Sequence, residues 1–137
     1  MLTCKREIDV SKFSKIPFSE KGRNFSGCDC HGLAQVIYSV NLNIQLPSYH
    51  DEYDTLADRE ELSRLVEQGK VDWREVESPE PYDLILFRLR SMPTHLGVYI
   101  GRGKFIHCMR DSGTSVEKLN SIVWKERVVG YYRHCTR

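Results

Sequence analysis

Gly27-Cys28-Asp29-Cys30-His31-Gly32-Leu33 is the stretch on which the reading of this chain turns. It closes a polar segment and opens a run in which Leu33, Val36, Ile37 and Val40 fall at i, i+3, i+4 and i+7, the spacing of one helix face. Asp29 is a good N-cap residue, so the spacing predicts a helix that begins at or just after Cys30 and runs to about Val40 or Asn41. A sulfur at that start faces unpaired backbone N–H groups and the positive end of the helix dipole, which favour the thiolate, the reactive form of cysteine. Leu33 and Ala34 lie one turn on, so Cys30 sits beside the buried stripe. A nucleophile and a small buried hydrophobe both fit such a position.

The rest of the composition narrows the choice. With 137 residues the chain suits one domain, and a net charge of +1 from 20 basic and 19 acidic residues gives no pull toward nucleic acid or an anionic membrane. Five cysteines without a regular framework suit a reducing compartment rather than a disulfide scaffold. The segment from Met1 to Glu7 lacks the apolar core of a signal peptide, and no apolar run approaches the roughly 18 residues that cross a bilayer. Synthesis in the cytoplasm, with some other route to any work outside it, is the expectation.

Outward from the central stretch, residues 1 to 26 read as an extended arm with room for one short helix, anchored by Ile16, Phe18 and Phe25. Pro47 follows the helix in a loop, Leu46-Pro47-Ser48-Tyr49, and Thr55 to Gln68 reads as a second helix stopped by Gly69. Trp73 and Val76 are expected to pack across the core. From Tyr82 the pattern changes to strands: Asp83 to Leu89 is a continuous apolar run, and Arg90 to Thr94 is a loop containing Pro93. His95 to Ile100, Lys104 to Met109, Ser115 to Leu119 and Arg127 to Arg133 follow as further strands. Helices first and an antiparallel sheet after them is the α+β arrangement.

His95 and His107 are equidistant from Gly101. A turn centred there sets the two histidines abreast on one face of a hairpin, with Cβ atoms about 4.5–5.5 Å apart. That face is otherwise sparse and includes Gly97, while Leu96, Val98, Ile100 and Ile106 form an apolar face opposite. A helix-tip thiol, a histidine to take its proton and a polar group to hold that histidine form the nucleophile–base–orienter set of cysteine hydrolases. Two cross-strand structural histidines would give the same pattern. A metal site is a further rival, since Cys28, Cys30, His31, His95, His107 and Cys108 are all soft ligands, but the C-x-C spacing is tight for tetrahedral geometry.

Taken together, Asp29-Cys30-His31-Gly32-Leu33, Leu46-Pro47, Asp83-Leu84-Ile85-Leu86-Phe87, His95-Leu96-Gly97-Val98-Tyr99-Ile100-Gly101, Lys104-Phe105-Ile106-His107 and the closing Trp124…Gly130-Tyr131 resemble the NlpC family of papain-like cysteine peptidases. The resemblance implies a papain-like α+β fold, with N-terminal helices packed on a central antiparallel sheet and the nucleophile at a helix N-terminus. It divides the chain into the arm, residues 1–26, and a peptidase domain, residues 27–137. It also implies Cys30 as nucleophile, His95 as general base and His107 as the orienting third member, with Asp29, His31 and Gly97 touching substrate. No metal and no cofactor are expected.

Family members cleave amide bonds in peptidoglycan stem peptides, commonly between γ-linked D-glutamate and the following diamino acid. Tyr38, Leu46-Pro47-Ser48-Tyr49 and Trp73…Val76…Pro79 resemble the stand-alone phage tail-associated members. This implies a virion location and other tail proteins as partners, with neither nucleic acid nor membrane. A tail component that keeps the fold without chemistry, and an acyl hydrolase acting on a non-wall substrate, are the alternatives. Three departures stand out: His31 where serine or tryptophan is usual, Tyr82 where glycine precedes Asp83, and the thiols Cys28 and Cys108 flanking Cys30 and His107. A Cys28–Cys30 or Cys30–Cys108 disulfide that silences the site is one expectation from the last of these.

Overall fold

Asp29 starts α1 (Cys30–Ile37) in the way its side chain predicts: its backbone is extended, and its carboxylate accepts the Gly32 N–H at 2.8 Å. The computed structural model describes residues 7–46, 73–89 and 92–136. The predicted helix from Thr55 to Gln68 and the loop from Pro47 to Tyr49 lie outside the described residues. Helical winding continues past Ile37 close to the predicted end, but over Tyr38–Leu42 it widens to π-helical spacing. Asn43 stops it at φ +56°, a left-handed backbone that asparagine tolerates, with its N–H bonded to the Tyr38 carbonyl.

The arm folds back on itself before it reaches the helix. β1 (Arg23–Asn24) and β2 (Gly27–Cys28) form a short antiparallel hairpin, and Phe18 bridges Cys28 in parallel. No helix forms among its described residues; turns occupy residues 11–15, with the Phe13 N–H bonded to the Val10 carbonyl and the Ile16 N–H to the Phe13 carbonyl, and other backbone bonds reach distant partners. The Ile8 N–H meets the Ile100 carbonyl at 2.6 Å, and the Thr114 N–H meets the Ile16 carbonyl at 3.2 Å. Of the expected anchors Ile16 is buried and Phe18 half-buried, whereas Phe25 is 48% exposed and merely stacks on Phe13. Phe13 and Ile8 do the anchoring in its place.

Among the described residues six strands make the main sheet: β3 (Trp73–Val76), β4 (Leu84–Leu89), β5 (Met92–Gly101), β6 (Lys104–Met109), β7 (Gly113–Lys118) and β8 (Val128–His134). They run antiparallel in the order β3-β8-β4-β5-β6-β7. β3 is an edge strand whose middle residues, Arg74 and Glu75, are exposed. Charge in the middle of so short an edge strand is what hides it in the sequence. Its Trp73 packs on Tyr38 and His134 with ring centroids 5.7 and 5.0 Å away. Residues 92–94, expected in a loop, belong to β5. Arg88 pairs with Pro93 and Phe87 with His95, so Thr94 is the extra residue of a bulge. A bulge is one of the few places where a sheet accepts proline.

The hairpin carrying the two histidines turns one residue later than Gly101. Arg102 and Gly103 have φ +55° and +75°, the positive pair of a type I′ loop, flanked by the pair Gly101↔Lys104. A register shift at Ile100 then leaves Val98 opposite Ile106, which carries Gly97 abreast of His107 and sets His95 diagonal to it. The displacement from the expected register is two residues. An even shift keeps both side chains on one face, so the shared face survives where the abreast pairing does not.

The sheet buries both sides. Leu84, Leu86, Leu96, Val98, Ile100, Ile106 and Cys108 join the cluster that holds α1 and the arm. Ile85, Phe87, Phe105 and Trp124 form a second cluster on the opposite face, where the histidines lie. The face expected to be sparse is therefore an aromatic floor. Gly97 fits it closely, since a Cβ there would sit 2.8 Å from Phe105 and 3.2 Å from Phe87.

Candidate active site

The helix start is held from three sides. The Asp29 carboxylate caps Gly32, accepts the Lys21 N–H at 3.1 Å, and accepts Arg23 Nη1 at 2.7 Å. Gly32 is obligatory in this arrangement, because a Cβ there would stand 1.9 Å from the Gly22 carbonyl oxygen of the arm. Cys30 and His31 are both buried. α1 lies against β5 and β6, so the elements bearing the three predicted catalytic residues are in contact.

Cys28 on β2 and Cys108 on β6 add a contact just before the helix. The Cys108 thiol donates to the Cys28 carbonyl at 3.2 Å, pinning the approach to Cys30 beside the residue that follows His107. The two thiols also bond to each other. That bond lowers the Cys108 pKa to about 7, while the same bond and burial push Cys28 well up. All four described cysteines are free thiols. The two flanking thiols are thus in contact with one another, a pairing that the sequence does not single out.

His95 Nε2 and His107 Nδ1 are 2.8 Å apart, and both rings are buried. Trp124 closes over them, with its centroid 4.9 Å from His107 and 6.0 Å from His95, and Phe87 and Phe105 complete the box. Beyond the pair, His107 Nε2 faces Glu117 Oε2 at 3.5 Å. Burial first, then the charge of His95, lowers the His107 pKa from its ordinary 6.5 to about 4, and Glu117 offsets part of this.

The sign of that shift gives a stability prediction. An unfolded chain takes up a proton on His107 near pH 6.5 that the folded chain refuses until about pH 4. The stability from keeping this ring neutral is therefore full above pH 6.5 and is lost as pH falls through about 4. Denaturation midpoints measured across that window should fall less steeply for His107→Asn than for the unaltered protein. Equal slopes would show that His107 is not the titrating group.

The predicted substrate-contacting residues occupy different settings. Asp29 is engaged by the helix cap and the arm, His31 is buried in the first turn, and Gly97 lies over the aromatic floor. Among the described residues no cluster of three or more histidine, cysteine or acidic side chains is arranged to hold a metal. Sequence reasoning misses Glu117 and the closing role of Trp124, because Glu117 comes to His107 only through strand register and Trp124 reaches the rings from the irregular segment before β8. The Tyr82 departure has a physical meaning here. Its φ is +79°, where glycine is unstrained, and the Tyr38 hydroxyl bonds its carbonyl.

A cysteine-tipped helix packed on an antiparallel sheet that carries a buried imidazole pair defines the papain-like α+β class. The chain belongs to the NlpC/P60 family, whose model matches residues 15–133. It is 27% identical over 106 residues to the murein DD-endopeptidase MepS/murein LD-carboxypeptidase of Escherichia coli (strain K12), covering 77% of this chain and 49% of that protein. To the gamma-DL-glutamyl hydrolase of Bacillus subtilis (strain 168) it is 23% identical over 128 residues, covering 91% of this chain and 28% of that one. The chain thus spans about half the length of the first relative and less of the second. Among solved structures, an NlpC/P60 family protein from Bacillus cereus ATCC 10987 matches with a TM-score of 0.65 at 20% identity, over 96% of this chain and 42% of that one.

Proposed function

We propose that this protein is a cysteine endopeptidase of peptidoglycan, cutting the amide bond between γ-linked D-glutamate and the following diamino acid of the stem peptide. The observation that carries the reading is the 2.8 Å bond between His95 and His107 on strands packed against the helix that begins at Cys30. Because that bond engages His95 Nε2, His95 Nδ1 is the nitrogen that takes the thiol proton. The Cys30 thiolate attacks the amide carbonyl carbon, and backbone N–H groups at the helix start stabilise the oxyanion. His95 then gives its proton to the departing amine, leaving a thioester on Cys30. Water activated by the same imidazole hydrolyses the thioester and restores the thiol. The relatives named as a murein endopeptidase and a gamma-glutamyl hydrolase support the wall substrate and the γ-linked bond.

The test is mass spectrometry of muropeptides released from purified sacculi under reducing conditions. Fragments whose masses correspond to stems cut after D-glutamate are the expected result. A folded protein that releases nothing from sacculi of several wall chemistries would sink the reading. Tyr38, Leu46-Pro47-Ser48-Tyr49 and Trp73…Val76…Pro79 resemble phage tail-associated members, and that resemblance alone supports a location of the enzyme in a virion tail. Its absence from proteins identified in purified particles of the source phage would remove this placement.

A further inference from the structure

We propose that Glu117 is a positioning residue that decides which nitrogen of each buried imidazole carries the proton. The inference rests on the reading of His95 as general base, and it comes from the arrangement of three neighbouring strands. His107 on β6 stands abreast of Ser115 on β7, and Phe105 stands abreast of Glu117. His95, His107 and Glu117 therefore step diagonally across β5, β6 and β7 on a single face of the sheet. Successive contacts are 2.8 Å from His95 Nε2 to His107 Nδ1 and 3.5 Å from His107 Nε2 to Glu117 Oε2. The Ser115 hydroxyl donates to the same Oε2 at 3.3 Å and steadies it.

The proton count follows from which groups can donate. A carboxylate only accepts, so His107 turns an N–H toward Glu117 from Nε2. A neutral imidazole has one N–H, which leaves His107 Nδ1 as an acceptor. The 2.8 Å bond must then be donated by His95 Nε2, and the His95 lone pair resides on Nδ1. That is the form able to take a proton from a thiol. In the opposite register His107 Nδ1–H donates to His95 Nε2, and His95 Nδ1 carries hydrogen and cannot act as a base. The second register is available whenever nothing accepts from His107 Nε2. Glu117 removes it.

Two substitutions test this, and the side chain is 39% exposed, so neither opens the core. Glu117→Gln keeps an acceptor oxygen, and Glu117→Leu removes it. Long-range proton–nitrogen NMR spectra of protein labelled with nitrogen-15 histidine report the tautomer of each ring without substrate. His107 should hold its hydrogen on Nε2 in the unaltered protein and in Glu117→Gln, and should populate the Nδ1–H form in Glu117→Leu. On stem peptides kcat should fall about tenfold for Glu117→Leu with KM unchanged, and Glu117→Gln should restore most of it. An unchanged tautomer in Glu117→Leu, or a changed tautomer with unchanged kcat, overturns the proposal. A protein that switches tautomer as expected but never cleaves sacculi would overturn the peptidase reading and leave the tautomer control standing.

Discussion

Cys30→Ala is expected to reduce the release of muropeptide fragments by ~1,000-fold or more, with no loss of fold. The change deletes one sulfur from a residue already small. Asp29 keeps its cap on Gly32, and Arg23 keeps its bond to Asp29, so the helix start retains its supports. The stability cost should stay near that of other small core truncations, about 1 kcal/mol. Thermal unfolding of the same sample checks this half of the prediction. His95→Ala should be comparably severe, because the attacking thiol then has no base. His107→Ala should leave residual activity, since His95 can still take a proton in some of its orientations. Full activity in His107→Ala would show that the third member is not His107.

The second large effect concerns stability. Arg133→Met is expected to destabilise the protein by ~3–5 kcal/mol, because it strands a fully buried carboxylate. Asp83 precedes β4 and has no exposed surface, and Arg133 on the adjoining β8 meets it through Nε at 3.0 and 3.1 Å and Nη2 at 2.8 Å. The Glu80 N–H adds a contact to Oδ2 at 2.7 Å. The carboxylate in turn pushes the guanidinium pKa up, chiefly through those hydrogen bonds. Replacing both partners should be far milder than replacing one, since Asp83→Leu with Arg133→Met leaves no buried charge alone. Urea midpoints for the two single variants and the double variant measure the cycle. A double variant no better than Arg133→Met would mean that packing around the guanidinium stem matters more than its charge.

How much of this is legible in the sequence depends on the range of the interaction. The helix start can be read because an N-cap aspartate and an apolar stripe act within a few residues of each other. β4 can be read because a continuous apolar run is also local, whereas His95 and His107 keep a common face only because the displacement of their register is even. The register between β5 and β6 cannot, because it depends on whether Gly101 or the Arg102–Gly103 pair makes the turn, and both satisfy the same composition. The aromatic floor stays hidden for a related reason. Phe87, Phe105 and Trp124 come from separate parts of the chain, and only the pairing of strands assembles them around the imidazoles. Glu117 looks like one more surface charge until β7 is laid beside β6. Pro93 suggests a loop, but a bulge in β5 accommodates it.

The arm's backbone bonds to Ile100 and Thr114 also constrain the order in which a growing chain can finish the site. β4 to β7 pair with sequence neighbours and can assemble as a local meander. The arm cannot join them early, because contacts across long stretches of chain form late, once the closure entropy of a long loop can be overcome. Cys28 in particular is seated by Cys108, and Ile16 by a residue of β7. While the ribosome is still making these strands, Cys28 and Ile16 lack their partners on β6 and β7. A nascent chain therefore carries a helix start that is capped by Asp29 but not yet seated on the sheet.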